Sequence, residues 1–179
     1  MKRLLMVIAL LSLAACSTRQ SPARLALKLA PAALEEVISV QQHLLVERGG
    51  RTDELDAALE VDAEHLELVG MAFGQRILSL SYDGKVMTSW RHPMLPPQVQ
   101  IEDILEDLQL TLWPAEAIQL ALPSGWRIEE QHLRRTLYRD NAPVTVISYS
   151  TKQRWSGLVV LENLRYHYRL TIQSVPIAN

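Results

Sequence analysis

The chain has 179 residues, of which 48% are apolar and 21% charged, and its formal net charge is −2. This length and composition predict one globular domain with a real core. The charge excludes the strongly basic surface typical of nucleic-acid-binding proteins. The single cysteine excludes a disulfide within the chain.

The N-terminus has the three parts of a secretory signal. Lys2 and Arg3 precede an apolar run over residues 4–13, and two alanines follow before Cys16. This order predicts a signal peptide over residues 1–15. The apolar run is shorter than the roughly 20 residues that a membrane-spanning helix needs. An ordinary secretory signal with an incidental cysteine is the alternative.

Residues 13–16, "LAAC", resemble the lipobox of bacterial lipoproteins. The resemblance implies that Cys16 becomes the first residue of the mature protein and carries a diacylglyceryl group and an acyl chain. Two or more such chains make membrane anchoring stable. In Gram-negative lipoproteins an Asp in the next position typically signals inner-membrane retention, so Ser17 implies sorting to the periplasmic face of the outer membrane.

The first half of the chain predicts strands. Residues 16–33 are interpreted as the lipidated cysteine and its tether, and residues 34–179 as the folded domain. Apolar and polar residues then alternate over 37–48, over 53–62, and around 66–68 and 77–82. Such alternation is typical of antiparallel strands with one buried face. Asp83-Gly84 is a favourable hairpin dipeptide.

A helical insert, at about 98–122, interrupts the strands. Ile101, Ile104, Leu105, Leu108 and Leu112 recur at helical spacing, with acidic residues between them. Pro114 suits the start of a second short helix. We expect the acidic side, "EDILED", to be solvated, and an acidic docking patch is the alternative. Strands follow at 126–131, 133–140, 143–150, 154–162 and 165–174, so the fold class is mainly β.

Motifs for catalysis are lacking in the sequence. It contains no Gly-x-Ser-x-Gly elbow, Walker loop, dinucleotide fingerprint or His-Glu-x-x-His helix. We therefore expect no enzyme activity, cofactor or metal. The stretches "RRTLYR" and "RYHYR" combine arginine with tyrosine. Strand alternation explains them better than nucleic-acid binding, and contact with lipid phosphates is the remaining interpretation.

The order of elements resembles the family of the outer-membrane lipoprotein receptor LolB and the carrier LolA. The likeness is local in "LELVGMAFGQRILSLSYDGKV" and "QIEDILEDLQLTLWPAEAIQLALP", and covers roughly residues 36–174 at low identity. It implies an unclosed antiparallel half-barrel whose helices form a lid over an apolar cavity. It also implies a periplasmic LolA-like carrier as partner.

A closer resemblance is to an uncharacterised family of proteobacterial lipoproteins encoded in gene clusters for aryl-polyene pigment lipids. It rests on "LPPQVQIEDILEDLQLTLWP", "GWRIEE", "ISYS" and "YRLTI", and "DLQLTLWP" is its most specific part. Membership implies a role in moving or placing a polyene lipid.

The resemblances imply a lipoprotein that binds lipid, acyl or polyene chains and helps to transfer or insert them into the outer membrane. A scaffold or assembly lipoprotein that docks a protein partner is the alternative. Each buried methylene would contribute about 0.8 kcal/mol to binding. The expected cavity walls are also ordinary core positions: Leu44, Leu59, Leu66, Leu80, Ile104, Leu108, Val146 and Tyr168.

Phe73 is the only phenylalanine of the chain, and it lies in "GMAFG", where a turn is expected. In LolB the corresponding turn carries an exposed apolar residue, typically Leu, that reaches toward the membrane. The resemblance therefore implies a membrane-facing loop with Phe73 and Met71. The alternative is that Phe73 folds back and plugs the end of the barrel.

Overall fold

The computed structural model describes residues 25–177. Ten antiparallel strands form one sheet in the order β5-β4-β3-β2-β1-β10-β9-β8-β7-β6. Strands β5 and β6 are its edges, so the sheet is not closed into a barrel, as predicted. The strands are β1 Ile38–Arg48, β2 Arg51–Val61, β3 Leu66–Ala72, β4 Gln75–Tyr82, β5 Met87–Arg91, β6 Trp126–Gln131, β7 Arg134–Arg139, β8 Ala142–Tyr149, β9 Gly157–Asn163 and β10 Tyr168–Pro176.

Two helices connect the two edge strands. Helix α1 spans Ile101–Leu112 and helix α2 spans Ala115–Ala121. Both lie inside the predicted insert, and a short 3₁₀ helix, Pro31–Leu34, precedes β1. Among residues 25–177, no helix combines the length and apolarity that crossing a membrane requires.

One face of the sheet packs against α1, and we call it the inner face. Its side chains alternate along the strands as the sequence predicts, and on β1 the inner positions are Ile38, Val40, Gln42 and Leu44. Gln42 interrupts this apolar set but is satisfied, because its Nε2 donates a hydrogen bond to Ser174 Oγ on β10 at 3.1 Å.

The turns of the sheet fall at two opposite ends. We call the end with turns 49–50, 73–74, 140–141 and 164–167 the Phe73 rim. The registers bring these turns to one end, since Arg48 pairs with both Arg51 and Tyr168, and Thr145 pairs with Asn163. The opposite rim carries turns 62–65, 83–86, 132–133 and 150–156.

Two strands and the acidic helix face differ from expectation. Strand β9 begins at Gly157 rather than 154, and β10 begins at Tyr168, because residues 164–167 form the turn between them. Glu102 is exposed and Asp103 is half-buried, but Glu106 and Asp107 are buried on α1, so this second acidic pair is neither a solvated face nor a docking patch. The physical reason is that each carboxyl group has a partner inside the fold, as described below.

Residues 25–34, which the sequence assigns mainly to a tether, lie in the core. Leu25, Leu27, Leu29 and Leu34 are between 4% and 9% exposed. They belong to the same buried cluster as α1 and strands β1–β4. Burial of four leucines stabilises this segment against the sheet. The folded part therefore extends at least to Leu25.

Candidate functional site

The C-terminal end of α1 is fixed by two side chains from the sheet. The carbonyl of Leu110 would normally accept a hydrogen bond from residue 114, but Pro114 has no N–H. Arg135 Nη1 donates to this oxygen instead, at 2.6 Å. The Tyr149 hydroxyl donates to the next carbonyl, that of Thr111, at 2.8 Å, and burial raises the pKa of Tyr149 to about 12. Arginine at a helix C-terminus also complements the helix dipole.

Arg135 is 1% exposed and forms an ion pair with Glu130 of β6. Burial alone would raise the pKa of Glu130, but the charges and hydrogen bonds of the arginines 135 and 154 hold it below its usual value. Arg135 is therefore a structural cation beneath the helix. Arg135 is therefore not available to lipid phosphates, whereas Arg134 of the same stretch is exposed.

The middle of α1 carries a buried acidic pair. Glu106 forms an ion pair with Arg165, whose side chain is 5% exposed. Asp107 accepts a hydrogen bond from the Tyr168 hydroxyl, and Asn163 Nδ2 donates to the same Tyr168 oxygen at 3.1 Å. Burial raises the pKa of Asp107 to about 7, and burial with the nearby Asp107 raises the pKa of Tyr168.

A segment without regular secondary structure, residues 25–30, lies along α1, and we call it the N-terminal strap. Ala26 interrupts its extended course with a φ of 52°. Its backbone bonds to side chains of the helical segment rather than to another strand. Leu29 N–H donates to Gln109 Oε1 at 3.1 Å, and Gln109 Nε2 donates to the Leu29 carbonyl at 2.8 Å. Ala26 N–H donates to Glu106 at 3.1 Å, and Trp113 Nε1 donates to the Ala30 carbonyl at 3.0 Å.

The strap is oriented from the side of the Phe73 rim toward the opposite rim. Its beginning bonds to Glu106, which pairs with Arg165 in the turn 164–167 of the Phe73 rim. Its end lies beside the turn 83–86 of the opposite rim, where a Cβ added to Gly84 would be 3.2 Å from Pro31 Cδ. The strap therefore begins on the side of the Phe73 rim.

Phe73 projects from the β3–β4 hairpin and is 90% exposed. Ala72 pairs with Gln75, so Phe73 and Gly74 form a two-residue loop with φ values of 51° and 72°. Such a loop needs positive φ at both positions, which favours Asn or Gly and strains a bulky residue. The structure excludes the plug interpretation. Met71 is 37% exposed near the same tip.

Other exposed apolar and basic residues share this rim. Leu164 in the turn 164–167 is 43% exposed, and Arg48 and Arg51 flank the turn 49–50. Arg76 follows the Phe73 turn, and its Cζ lies 4.8 Å from the ring centroid of Trp90. Apolar tips with arginines beside them suit the interface between lipid headgroups and hydrocarbon.

The predicted cavity walls are mostly brought together. Four are buried in one core cluster and three more are partly buried against it: Leu59, Leu66, Leu80 and Leu108, then Leu44, Ile104 and Tyr168. Val146 is the exception, because it pairs with Glu162 and lies between the inner residues Thr145 and Ile147. It therefore lies on the outer face of the sheet, and its assignment to the cavity is wrong. Cys16 and Ser17 lie outside the described residues.

Two cavities of the described part lie at the rims, and most of the residues that line them are polar or charged. The first, of about 240 Å³, is at the opposite rim and is lined by Glu130, His132, Leu133, Tyr149, Thr151, Lys152 and Arg154. The second, of about 290 Å³, is at the Phe73 rim and includes Tyr168 with Glu47, Glu162, Asn163, Leu164, His167 and Arg169. The predicted aliphatic walls line neither, because α1 and the strap pack against them.

Sequence reasoning missed the strap and the partners of α1. The signal for the strap is "LALKL", in which leucines alternate with Ala26 and Lys28. The signal for Arg135 is weaker, since nothing local shows that it faces inward. Within residues 25–177, no group of three or more His, Cys, Asp or Glu side chains could hold a metal ion.

The comparisons with known proteins identify the family. A model described as a protein of unknown function, DUF3261, matches residues 39–176. The chain belongs to the DUF3261 family. All ten strands and both helices of this DUF3261 protein, apart from the first residue of β1, lie in the matched range. The strap lies before it.

Among the solved structures, the DUF3261 chain is similar to the LolA superfamily protein NE2245 from Nitrosomonas europaea. The match has 11% sequence identity and a TM-score of 0.39, and covers 88% of this chain and 95% of that chain. No curated protein matches the chain.

Proposed function

We propose that the protein is an outer-membrane-anchored periplasmic lipoprotein that binds lipid, acyl or polyene chains and helps to transfer or insert them into the membrane. The observation that carries this proposal is the shared position of two features. The strap begins on the side of the same rim from which Phe73 projects. An anchor at Cys16 would therefore emerge on the side of the fold that presents its most exposed aromatic residue.

The geometry of the tether is compatible with this orientation. The strap begins at Leu25, nine residues after Cys16, and an extended chain of that length reaches about 30 Å. Membrane insertion of Phe73 removes apolar surface from water, which offsets the cost of leaving it exposed in solution. The arginines of the Phe73 rim would then face lipid headgroups. The proposed cargo, a polyene or other acyl lipid, follows from the sequence resemblance and from the apolar inner face.

A scaffold lipoprotein that docks a protein partner is the second candidate. One observation favours it. The inner face is packed by α1 and the strap, and the two cavities described above lie at the rims rather than between the sheet and α1. A lipid carrier with this structure must open before it can bind cargo, whereas a scaffold need not.

Native mass spectrometry and a binding titration distinguish the two candidates. The Cys16→Ala protein, purified from the soluble fraction, is examined for co-purified lipid and then titrated with cis-parinaric acid, a fluorescent polyene fatty acid. A lipid carrier should retain a lipid mass or take up about one probe molecule per chain. Folded protein that shows neither would contradict lipid binding and favour the scaffold.

A further inference from the structure

The N-terminal strap is buried like a strand, but its backbone pairs with no strand in the described part of the chain. Leu25, Leu27 and Leu29 are at most 9% exposed, while Ala26 and Lys28 face outward. The four strap hydrogen bonds described above all go to side chains of residues 106–113. The strap is therefore an extended apolar insertion held on one side only.

The strap can leave without breaking the contacts that hold α1 on the sheet. Those contacts come from Arg135, Tyr149, Arg165 and Tyr168, and none of them is a strap residue. A segment that forms no backbone ladder with a strand and makes few tertiary hydrogen bonds opens more easily than the sheet around it. Of the packed elements on the inner face, the strap is thus the one that a ligand can replace while the rest stays folded.

The space that the strap leaves has the form of a hydrocarbon chain. Leu25, Leu27 and Leu29 fill a narrow slot of at most about 13–17 Å, the length of fully extended backbone. The positive φ of Ala26, 52°, shortens this length. The slot begins on the side of the Phe73 rim. Beside its far end, Trp113 Nε1 donates to the Ala30 carbonyl, and a carboxyl or ester oxygen of a ligand could accept the same bond.

We propose that the slot filled by Leu25, Leu27 and Leu29 is the binding site for one extended acyl or polyene chain, which displaces the strap as it enters. This inference rests on the proposed lipid-binding function. The strap keeps the slot closed to water in the absence of cargo. Because the strap continues toward Cys16, its release occurs at the rim that faces the membrane.

Trypsin cleavage after Lys28 reports the release of the strap. The full-length protein is digested briefly with and without saturating cis-parinaric acid. The cleavage rates at Lys28 and at Arg51, the first residue of β2 beside the exposed turn 49–50, are measured by mass spectrometry. We expect the probe to raise cleavage at Lys28 by about tenfold and to leave Arg51 unchanged. Lys28→Gln identifies the fragment, because it removes this site alone.

A second variant weakens the strap without altering its leucines. Gln109→Ala removes both hydrogen bonds to Leu29 and should tighten probe binding severalfold, since less of the binding energy is spent on displacement. Thr111→Ala is the matched control, as it truncates a buried polar residue of α1 that does not bond to the strap. Binding to the control should stay at the wild-type value.

The outcomes distinguish a failure of the slot proposal from a failure of the proposed lipid-binding function. Probe binding with unchanged or slower cleavage at Lys28 overturns the slot and leaves lipid binding intact. Absence of probe binding by both the wild type and Gln109→Ala overturns the lipid-binding function itself. If Gln109→Ala does not fold, the digestion of the wild-type protein decides alone.

Discussion

The Tyr168 hydroxyl donates a hydrogen bond to the carboxyl group of Asp107 inside the fold. Tyr168 begins β10, whereas Asp107 lies in the middle of α1, 61 positions earlier in the chain. Burial penalises the charged form of Asp107 and raises its pKa to about 7, although the hydrogen bond from Tyr168 opposes this effect. Asp107 is therefore a titrating group that α1 packs against the sheet.

The stability of the protein should decrease between about pH 4 and pH 7 through this group. The unfolded carboxyl loses its proton near 3.8, and the folded one keeps it until about 7, so the folded state binds more protons in this window. The contribution of Asp107 to stability is complete when the pH is below the pKa of this carboxyl in the unfolded chain. It is lost as the pH rises through the pKa of the carboxyl in the folded protein. Asp107→Asn keeps a neutral side chain at every pH and should remove this dependence.

Urea unfolding of the wild type and of Asp107→Asn between about pH 5 and pH 8 measures the effect. We expect the free energy of unfolding of the variant, relative to the wild type, to rise by about 1–3 kcal/mol over this range. The nearby charges of Glu106, Asp103 and Arg165 are the same in both proteins. A difference that stays constant with pH would show that Asp107 is already ionised in the fold.

Phe73→Asn should stabilise the fold and weaken membrane association. Asn tolerates the positive φ of 51° at this position better than Phe, so we expect a gain of up to about 1 kcal/mol in the free energy of unfolding. Binding of the Cys16→Ala protein to liposomes, measured by flotation, should fall severalfold. Val86→Asn is the control, because Val86 is 61% exposed at the opposite rim. Equal liposome binding by Phe73→Asn and the wild type would refute a membrane role for Phe73.

Cys16→Ala should abolish membrane anchoring, because acyl chains on this residue are the proposed attachment. Fractionation of cells should find the variant in the soluble fraction or as the uncleaved precursor. Ser17→Asp should move the lipidated protein toward the inner membrane. Normal processing and outer-membrane recovery of Cys16→Ala would show that the protein is not a lipoprotein anchored at Cys16.

Leu108→Arg should abolish uptake of cis-parinaric acid, because it places a charge in the apolar core between α1 and the sheet. Val146→Arg is the matched control, since Val146 is equally buried, at 9%, on the outer face. Thermal melts verify that each variant folds. If Leu108→Arg does not fold, Leu108→Phe, which adds volume without charge, should still lower uptake. Undiminished uptake by a folded Leu108 variant would place the ligand elsewhere.

Gly70→Ala should destabilise the hairpin that carries Phe73. A Cβ at this position would lie 2.8 Å from Leu78 Cγ on β4, so the buried leucine would have to move. We expect a loss of about 1–3 kcal/mol in the free energy of unfolding, as overpacked cores show. In a double-mutant cycle, Leu78→Ala should cost less in the Gly70→Ala background than alone. Additive losses would mean that the two side chains do not compete for this space.

Local pattern predicted most elements of the fold. Residue pattern and turn signals identified nine of the ten strands, helical spacing identified α1, and the strand–turn–strand order placed Phe73 in a turn. These predictions succeed because side-chain direction within a strand or helix repeats every 2.0 or 3.6 residues. Residues 87–91, the edge strand β5, have no such alternation and were not predicted.

The tertiary structure decided which surfaces are inside. Strand β8 has apolar residues at both odd and even positions. Only its register with β7 and β9 therefore shows that Ile147 faces inward and Val146 outward. Glu106, Asp107 and Arg135 are polar and would be expected in water, but each has a partner far away in sequence. Partners brought together by the sheet offset the cost of burial, and no local sequence pattern carries that information. The same holds for the strap. Its sequence would equally suit a tether, and only the tertiary structure shows that side chains of the helical segment hydrogen-bond to its backbone.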